Sequence, residues 1–344
     1  MSKKHLAVVL LAAALSPAAQ GASEGVARCA KLENTDERLA CYDELARAVD
    51  SPGGEPASPA PSHLTDAWKL GAKQGGTRRL TDILVYRPNY VITRWSSDPN
   101  EQPASPAPGR QSAPQDLDAN ELKFQVSLKT ELVSRQAFEQ VGVTPLLGHV
   151  GIDSVRLWFG YTQAVNWQAY NARNSRPFRE TNYEPEGILS FGTRNQGDGF
   201  KLVNLGLVHQ SNGSVEADSR GWNRLYGQGG WEWGAFSVLA RLWYRIPESA
   251  EEDDNPDIQD YLGKGDVVMR YQTSRGYVAS LLARHTLRSS PSRGFVQLDW
   301  ATPVLNSLGA ARLHLQLSTG YGETLIDYNH KQTTLGIGMS FGDW

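Results

Sequence analysis

The sequence holds two cysteines in 344 residues, so neither a framework of several disulfides nor a cysteine-built metal site can organise it. Positive charge is not in excess. The net charge is −3, which leaves no basic footprint for nucleic acid. Beyond the N-terminus, no apolar run approaches the ~18 residues of a membrane-crossing helix, which argues against a helical membrane protein. Helical periodicity is almost missing after residue 80. No Gly-x-Ser-x-Gly stretch leads from a strand into a helix, so the nucleophile elbow of the α/β hydrolases is not supported.

What is present begins with an N-terminus built for export. Lys3-Lys4 precedes an apolar run from Leu6 to Leu15, and small residues lead to Ala19-Gln20-Gly21. Residues 1–21 read as a signal peptide, too short to remain as an anchor. Export places the chain in an oxidising compartment. Cys29 and Cys41 flank Asn34-Thr35-Asp36-Glu37, a helix cap with Glu three residues on. Residues 22–50 are therefore expected to form a small helical hairpin stapled by a Cys29–Cys41 disulfide. Residues 51–79 open with SPGGEPASPAPS and read as a linker.

From residue 80 the pattern changes to segments of about ten residues that alternate with a period of two, as in a membrane barrel. Phe124, Val126 and Leu128 share one face, and Gln125, Ser127 and Lys129 the other. Val238, Ala240, Leu242, Tyr244 and Ile246 alternate with Ser237, Arg241 and Arg245. Candidate strands are 81–95, 121–133, 154–168, 182–195, 198–211, 219–229, 231–246, 258–273, 275–289, 293–301, 310–324 and 332–342. An even number of antiparallel strands suits a bacterial outer-membrane protein. The expected fold is all-β: a 12-stranded antiparallel transmembrane barrel over residues 80–344, with a short N-terminal periplasmic extension. Arg241, Arg245, Arg270, Arg284, His314 and Gln316 would fill its interior. A soluble β-sandwich shows the same alternation, with the apolar faces turned toward a second sheet.

One strand carries polar groups on its apolar side. Val203, Leu205, Leu207, His209 and Ser211 fall on one face. Asn212-Gly213 reads as a turn, and Asn223 follows on the segment expected to return. A serine nucleophile needs a base within reach and a third group that holds the base. His209 and Ser211, two residues apart on a strand, stand ~6.5–7 Å apart at the backbone, a gap their side chains can close. Asn223 can orient His209 if the hairpin register brings the two together. Facing lipid, an amide avoids the cost of an isolated carboxylate. The plainer alternative is a polar pair at a strand end near the membrane interface.

At this point longer stretches carry a resemblance. His209 to Gly213 (HQSNG) and Ser219 to Tyr226 (SRGWNRLY) resemble the active-site signature of the outer-membrane phospholipase A family. So do Tyr161-Thr162-Gln163, Trp167-Gln168, PFRETNYEP (177–185), DDNPDI (253–258) and GYGETLIDYN (320–329). The resemblance covers residues 80–344 and leaves 22–79 outside. It implies a barrel with its site on the lipid-facing wall, where Ser211 is the nucleophile, His209 the base and Asn223 the orienting residue. It implies a phospholipid substrate cut at its acyl esters, with A1, A2 and lysophospholipase activity, in the outer membrane of a Gram-negative cell. It further implies Ca2+ as cofactor and a homodimer when active, a monomer when idle.

The calcium ligands it implies are the Ser219 hydroxyl, the Ser214 carbonyl and Ser175 from a second copy. Glu216 and Asp254 match acidic positions near a second calcium site in the monomer, and Gln163 matches a polar dimer-interface residue. The Gly213 N–H and a calcium-bound water would receive the oxyanion. There are departures: Gln210 stands where Asp is expected, Ser214 where a longer basic residue is usual, and Arg176 replaces a small residue. Read by themselves, Asp253 and Asp254 are solvated loop charges.

Overall fold

The computed structural model describes residues 29–30, 34–50, 62–70, 82–195, 197–305 and 311–342. The expected signal peptide lies outside the described residues, as do residues 51–61 and 71–79 of the expected linker. The chain divides into two compact units, Met1–Pro59 and Ala60–Trp344. In the first, Asn34 begins helix α1 (Thr35–Asp50), its Oδ1 accepting from the Asp36 N–H at 2.9 Å. Cys29 and Cys41 form a disulfide with their Cα atoms 5.6 Å apart.

The second unit starts with helix α2 (His63–Trp68). Its strands are β1 (Ile83–Val85), β2 (Asn89–Ser96), β3 (Asn120–Val133), β4 (Ile152–Trp167), β5 (Glu180–Thr193), β6 (Gly199–Ser211) and β7 (Gly221–Trp233). They continue as β8 (Phe236–Ile246), β9 (Gly265–Gln272), β10 (Val278–His285), β11 (Gly294–Ala301), β12 (Ala311–Tyr321) and β13 (Lys331–Phe341). Every pairing is antiparallel. Strands β2 to β13 each pair with the next, and β13 returns to β2, so twelve strands close into a barrel. A closed ring has no second sheet to pack against, which removes the sandwich alternative.

β1 prolongs β2 along the same partner, with Ile83 opposite Thr130 and Tyr90 opposite Gln125. The strand expected at 81–95 is therefore interrupted, because Pro88 has no N–H to give. Gln125 Nε2 patches the gap by donating to the Pro88 carbonyl at 2.7 Å. The strand expected at 258–273 also begins late. Its first residues form a short helix, Gln259–Leu262, whose Leu262 is buried with Ile258 against Trp222, Trp243 and Tyr328. Period-two reading cannot register a single turn held in place by loop packing. The strand expected at 231–246 instead spans a hairpin turn at Gly234-Ala235.

Along the strands the two faces separate as expected for a barrel in lipid. Leu205, Leu207, Leu225, Leu242, Tyr244, Leu315, Leu317 and Ile337 face outward and are exposed. The inner face is polar, buried and ionically paired. Arg94 meets Glu121 at 2.9 Å and Glu323 at 3.0 Å; Arg179 meets Glu121 at 2.5 Å and Asp327 at 3.0 Å. Arg241 pairs with Asp266 at 2.5 Å, and His314 Nε2 lies 2.9 Å from Asp299. Such charges persist in a protein interior only when paired and hydrogen-bonded.

Connections at one end of the barrel are as short as 234–235 and 273–277, while those at the other include 97–119 and 247–264. In outer-membrane barrels the short turns face the periplasm. Helix α2 is seated inside the barrel at that end. Its N-cap Ser62 accepts from the Thr65 N–H at 3.1 Å, and the Leu64 N–H donates to Glu232 Oε2 at 2.8 Å. Leu64, Trp68 and Leu70 pack on Trp158, Ile188 and Leu202, and Lys129 Nζ lies 3.5 Å over the Trp68 ring. The stretch read as a linker thus contains a helix that plugs the periplasmic mouth.

Candidate active site

β6 and β7 pair so that His209 lies opposite Asn223 and Ser211 opposite Gly221. By parity, His209, Ser211 and Asn223 all project from the outer face among Leu205, Leu207 and Leu225. His209 Nδ1 is 2.9 Å from Asn223 Oδ1. With Oδ1 accepting, Nδ1 carries the proton and Nε2 is left to act as a base. The neighbour on the opposite parity, Gln210, turns inward and accepts from Trp222 Nε1 at 2.8 Å and Arg224 Nη2 at 3.0 Å. The departure at Gln210 therefore falls on the inner face, away from His209 and Ser211. Behind the site the wall is filled by Val208, Trp222, Tyr226, Trp243 and Tyr328. Packing of this kind leaves the two strands little freedom to shift.

The hairpin loop is tied by a residue the sequence reading took only as a turn former. Asn212 is buried; its Oδ1 accepts from the Arg220 N–H at 3.0 Å and the Ser214 N–H at 3.3 Å. Its Nδ2 donates to the Asp218 carbonyl at 2.7 Å. Gly213 next to it has φ +65°, and a Cβ there would stand 2.9 Å from Tyr183 Cε2. Only glycine fits both demands. The -Asn-Gly- pair was the available signal; the side-chain bonds that close the loop are not legible in a linear pattern.

The implied calcium ligands are only partly drawn together. The Ser219 hydroxyl donates to Asp254 Oδ2, and Asp254 Oδ1 accepts from Arg110 Nη2 at 2.7 Å. Asp254 is thus a paired residue and not a solvated charge. Asp253 is paired too, with Arg245 Nη2 at 2.6 Å. Glu216, Ser214 and Gly213 lie exposed on the same loop, with Glu216 held at φ +52°. Ser175 stands on the connection before β5, where its carbonyl accepts from Trp167 Nε1 at 2.8 Å. Among the described residues no group of three or more His, Cys, Asp or Glu could hold a metal ion. The two implied ligands in contact are a hydroxyl and a carboxylate, Ser219 and Asp254, hard oxygens of the type that suit Ca2+ and not a softer metal. Gln163 faces outward on β4, its Oε1 accepting from Tyr161 Oη at 3.1 Å.

A closed twelve-stranded barrel, apolar outside and charged inside, defines the class of outer-membrane β-barrel proteins, and this one carries a serine, a histidine and an asparagine on its lipid side. The comparisons narrow it. A model of the family described as phospholipase A1 matches residues 64–341, and the chain belongs to that family of outer-membrane β-barrel enzymes. The match starts in α2, earlier than the 80–344 over which the sequence motifs run. Phospholipase A1 of Escherichia coli K12 is 36% identical over 76% of this chain and 82% of its own length. A Neisseria meningitidis serogroup B relative is 33% identical and covers 100% of this chain and 97% of its own length, so it also spans residues 22–79. Outer membrane phospholipase A from E. coli superposes with a TM-score of 0.64 at 33% identity, covering 78% of this chain and 95% of that one. The outer membrane phospholipase of Salmonella typhi, solved as a dimer with bound calcium, gives 0.64 at 32% over the same shares.

Proposed function

We propose that the chain is a calcium-dependent phospholipase of the outer membrane that hydrolyses acyl esters of phospholipids and lysophospholipids through Ser211, His209 and Asn223. The observation that carries this reading is the opposed His209–Asn223 pair at 2.9 Å, on the outer face and two residues from Ser211. A pore has no use for that constellation on its lipid side, whereas an enzyme whose substrate is the surrounding lipid does.

Ser211 Oγ attacks the ester carbonyl as His209 Nε2 takes its proton. Asn223 Oδ1 holds Nδ1–H and so keeps the ring in the tautomer that leaves Nε2 free. The proton then passes to the departing alkoxide, giving lysophospholipid and an acyl-serine. Water, deprotonated by His209, releases the fatty acid and restores the serine. The Gly213 N–H donates to the oxyanion. Ser219 Oγ and the Ser214 carbonyl, with Ser175 of a second copy, would hold Ca2+, with Glu216 and Asp254 as nearby acids. When bound, the ion supplies positive potential where negative charge develops.

Homodimerisation fits this chemistry. Gln163 is a polar side chain on a lipid-facing wall, where a symmetric contact with a second copy's Gln163 would satisfy it. The deciding experiment measures fatty-acid release from phospholipid in detergent with calcium by wild type and by Ser211→Ala. Loss of release in the variant is expected, and release at the wild-type rate would overturn the reading.

A further inference from the structure

The loop that leaves β8 brings a carboxylate up behind Asn223. Ile246 is paired with Asn223, and Pro247 then turns the chain so that Glu248 Oε1 accepts from Asn223 Nδ2 at 2.9 Å. Asn223 is therefore held from both ends: Nδ2 by Glu248, and Oδ1 against His209 Nδ1 at 2.9 Å. A free asparagine amide can sit either way round, and the wrong way would point NH2 at His209 and invert its tautomer. An ionised carboxylate only accepts. With Glu248 on one side, only the arrangement with Oδ1 toward His209 satisfies the amide.

The carboxylate itself is placed where a charge is tolerable. Glu248 lies beyond the end of β8, half-buried, with Arg245 Nη2 3.7 Å from Oε2. Arg245 is committed more closely to Asp253, at 2.6 Å. The lipid-facing row thus carries no carboxylate, while that of Glu248 stands one hydrogen bond behind it. We propose that Glu248 is a positioning residue for the hydrolytic reaction, locking the amide orientation of Asn223 and through it the tautomer of His209. The proposal rests on the Ser211–His209–Asn223 reading.

It is tested on the purified full chain in mixed phospholipid–detergent micelles with calcium, comparing wild type, Ser211→Ala, Asn223→Ala, Glu248→Ala, Glu248→Gln and the Asn223→Ala/Glu248→Ala double variant. A glutamine can accept from Asn223 Nδ2 but can also turn its own amide and donate, so it fills the same space while relaxing the lock. Glu248→Ala is expected to lower kcat about 5–20-fold with KM within about twofold, since orientation of the base matters in the transition state and not in ground-state binding. Glu248→Gln should fall between Glu248→Ala and wild type in kcat, and the double variant should be no slower than Asn223→Ala, because both losses run through one amide. An unchanged kcat in Glu248→Ala, or a double variant slower by the product of the two single losses, overturns the proposal while the triad stands. Activity retained by Ser211→Ala would instead overturn the triad reading on which it rests.

Discussion

The ring of Tyr226 lies directly against the backbone of Gly206: a Cβ built on Gly206 would stand 2.2 Å from Tyr226 Cζ. The two residues are cross-strand partners on the inner face, three positions from His209 and Asn223 on the outer face of the same pair of strands. Tyr226 Oη then donates to Glu186 Oε2 at 2.7 Å, which ties in β5 as well. An aromatic laid over a glycine pins register where flat pairing would allow a slip. Gly206→Ala is therefore expected to push Tyr226 aside, costing about 1–3 kcal/mol of stability by overpacking. Thermal unfolding in detergent, followed by the loss of heat-resistant mobility on a gel, measures it, and an unchanged midpoint would show that the ring does not pin the strands.

Asn223 is proposed above as the orienting member of the site. Asn223→Ala should lower kcat about 10–100-fold while barrel stability stays within about 0.5 kcal/mol, because a tautomer is lost and no core contact is. Asn223→Asp keeps an acceptor for His209 but confronts Glu248 with a second carboxylate at 2.9 Å. Its deficit relative to wild type should therefore be greater at neutral pH than at mildly acidic pH, where one of the two carboxyls takes a proton. Steady-state rates across that range check the sign.

Ser219 and Asp254 can be separated from the chemistry by calcium titration. Ser219→Ala should raise the calcium concentration needed for half-maximal activity about tenfold or more, with the rate at saturating calcium falling less. Chelation of calcium from the wild type should abolish release of fatty acid, and adding calcium back should restore it. A rate indifferent to the chelator would remove the ion from the reaction.

The plug helix carries a pH dependence of its own. His63 is lowered from its ordinary 6.5 to about 3, by burial first and then by the charges of Arg270 and Lys129. A histidine depressed in the folded state binds more protons unfolded, so its contribution to stability is complete above pH 6.5 and lost as pH falls toward 3. Wild type should lose thermal stability through that window, and His63→Gln should show a shallower loss. Parallel curves would assign the acid sensitivity to other groups.

The barrel was legible because period two survives residue by residue: an inverted pattern, greasy outside and charged inside, appears in any single strand such as β8. The outward parity of His209 and Ser211 follows from the same rule. What a linear pattern does not contain is pairing. Whether Asn223 meets His209 depends on the register of one hairpin, fixed by Tyr226 over Gly206 and by the buried bonds of Asn212. Glu248 reaches Asn223 from 25 positions away, and Asp254 meets Arg110 across 144. Neither contact has a local signature. The α2 plug was missed for another reason: a six-residue helix draws its stability from Trp158, Ile188 and Leu202 around it and not from its own sequence.

Among the described residues the lumen, finally, is crossed near both of its mouths. Arg94, Lys123 and Arg179 are cross-linked through Glu121, Glu323 and Asp327, and Trp68 stops the opposite mouth. A hollow cylinder of twelve strands would be a leak for small ions, and its abundance would have to be rationed. A blocked one is an electrical insulator. A barrel blocked in this way can sit in the outer membrane without adding a pore to it.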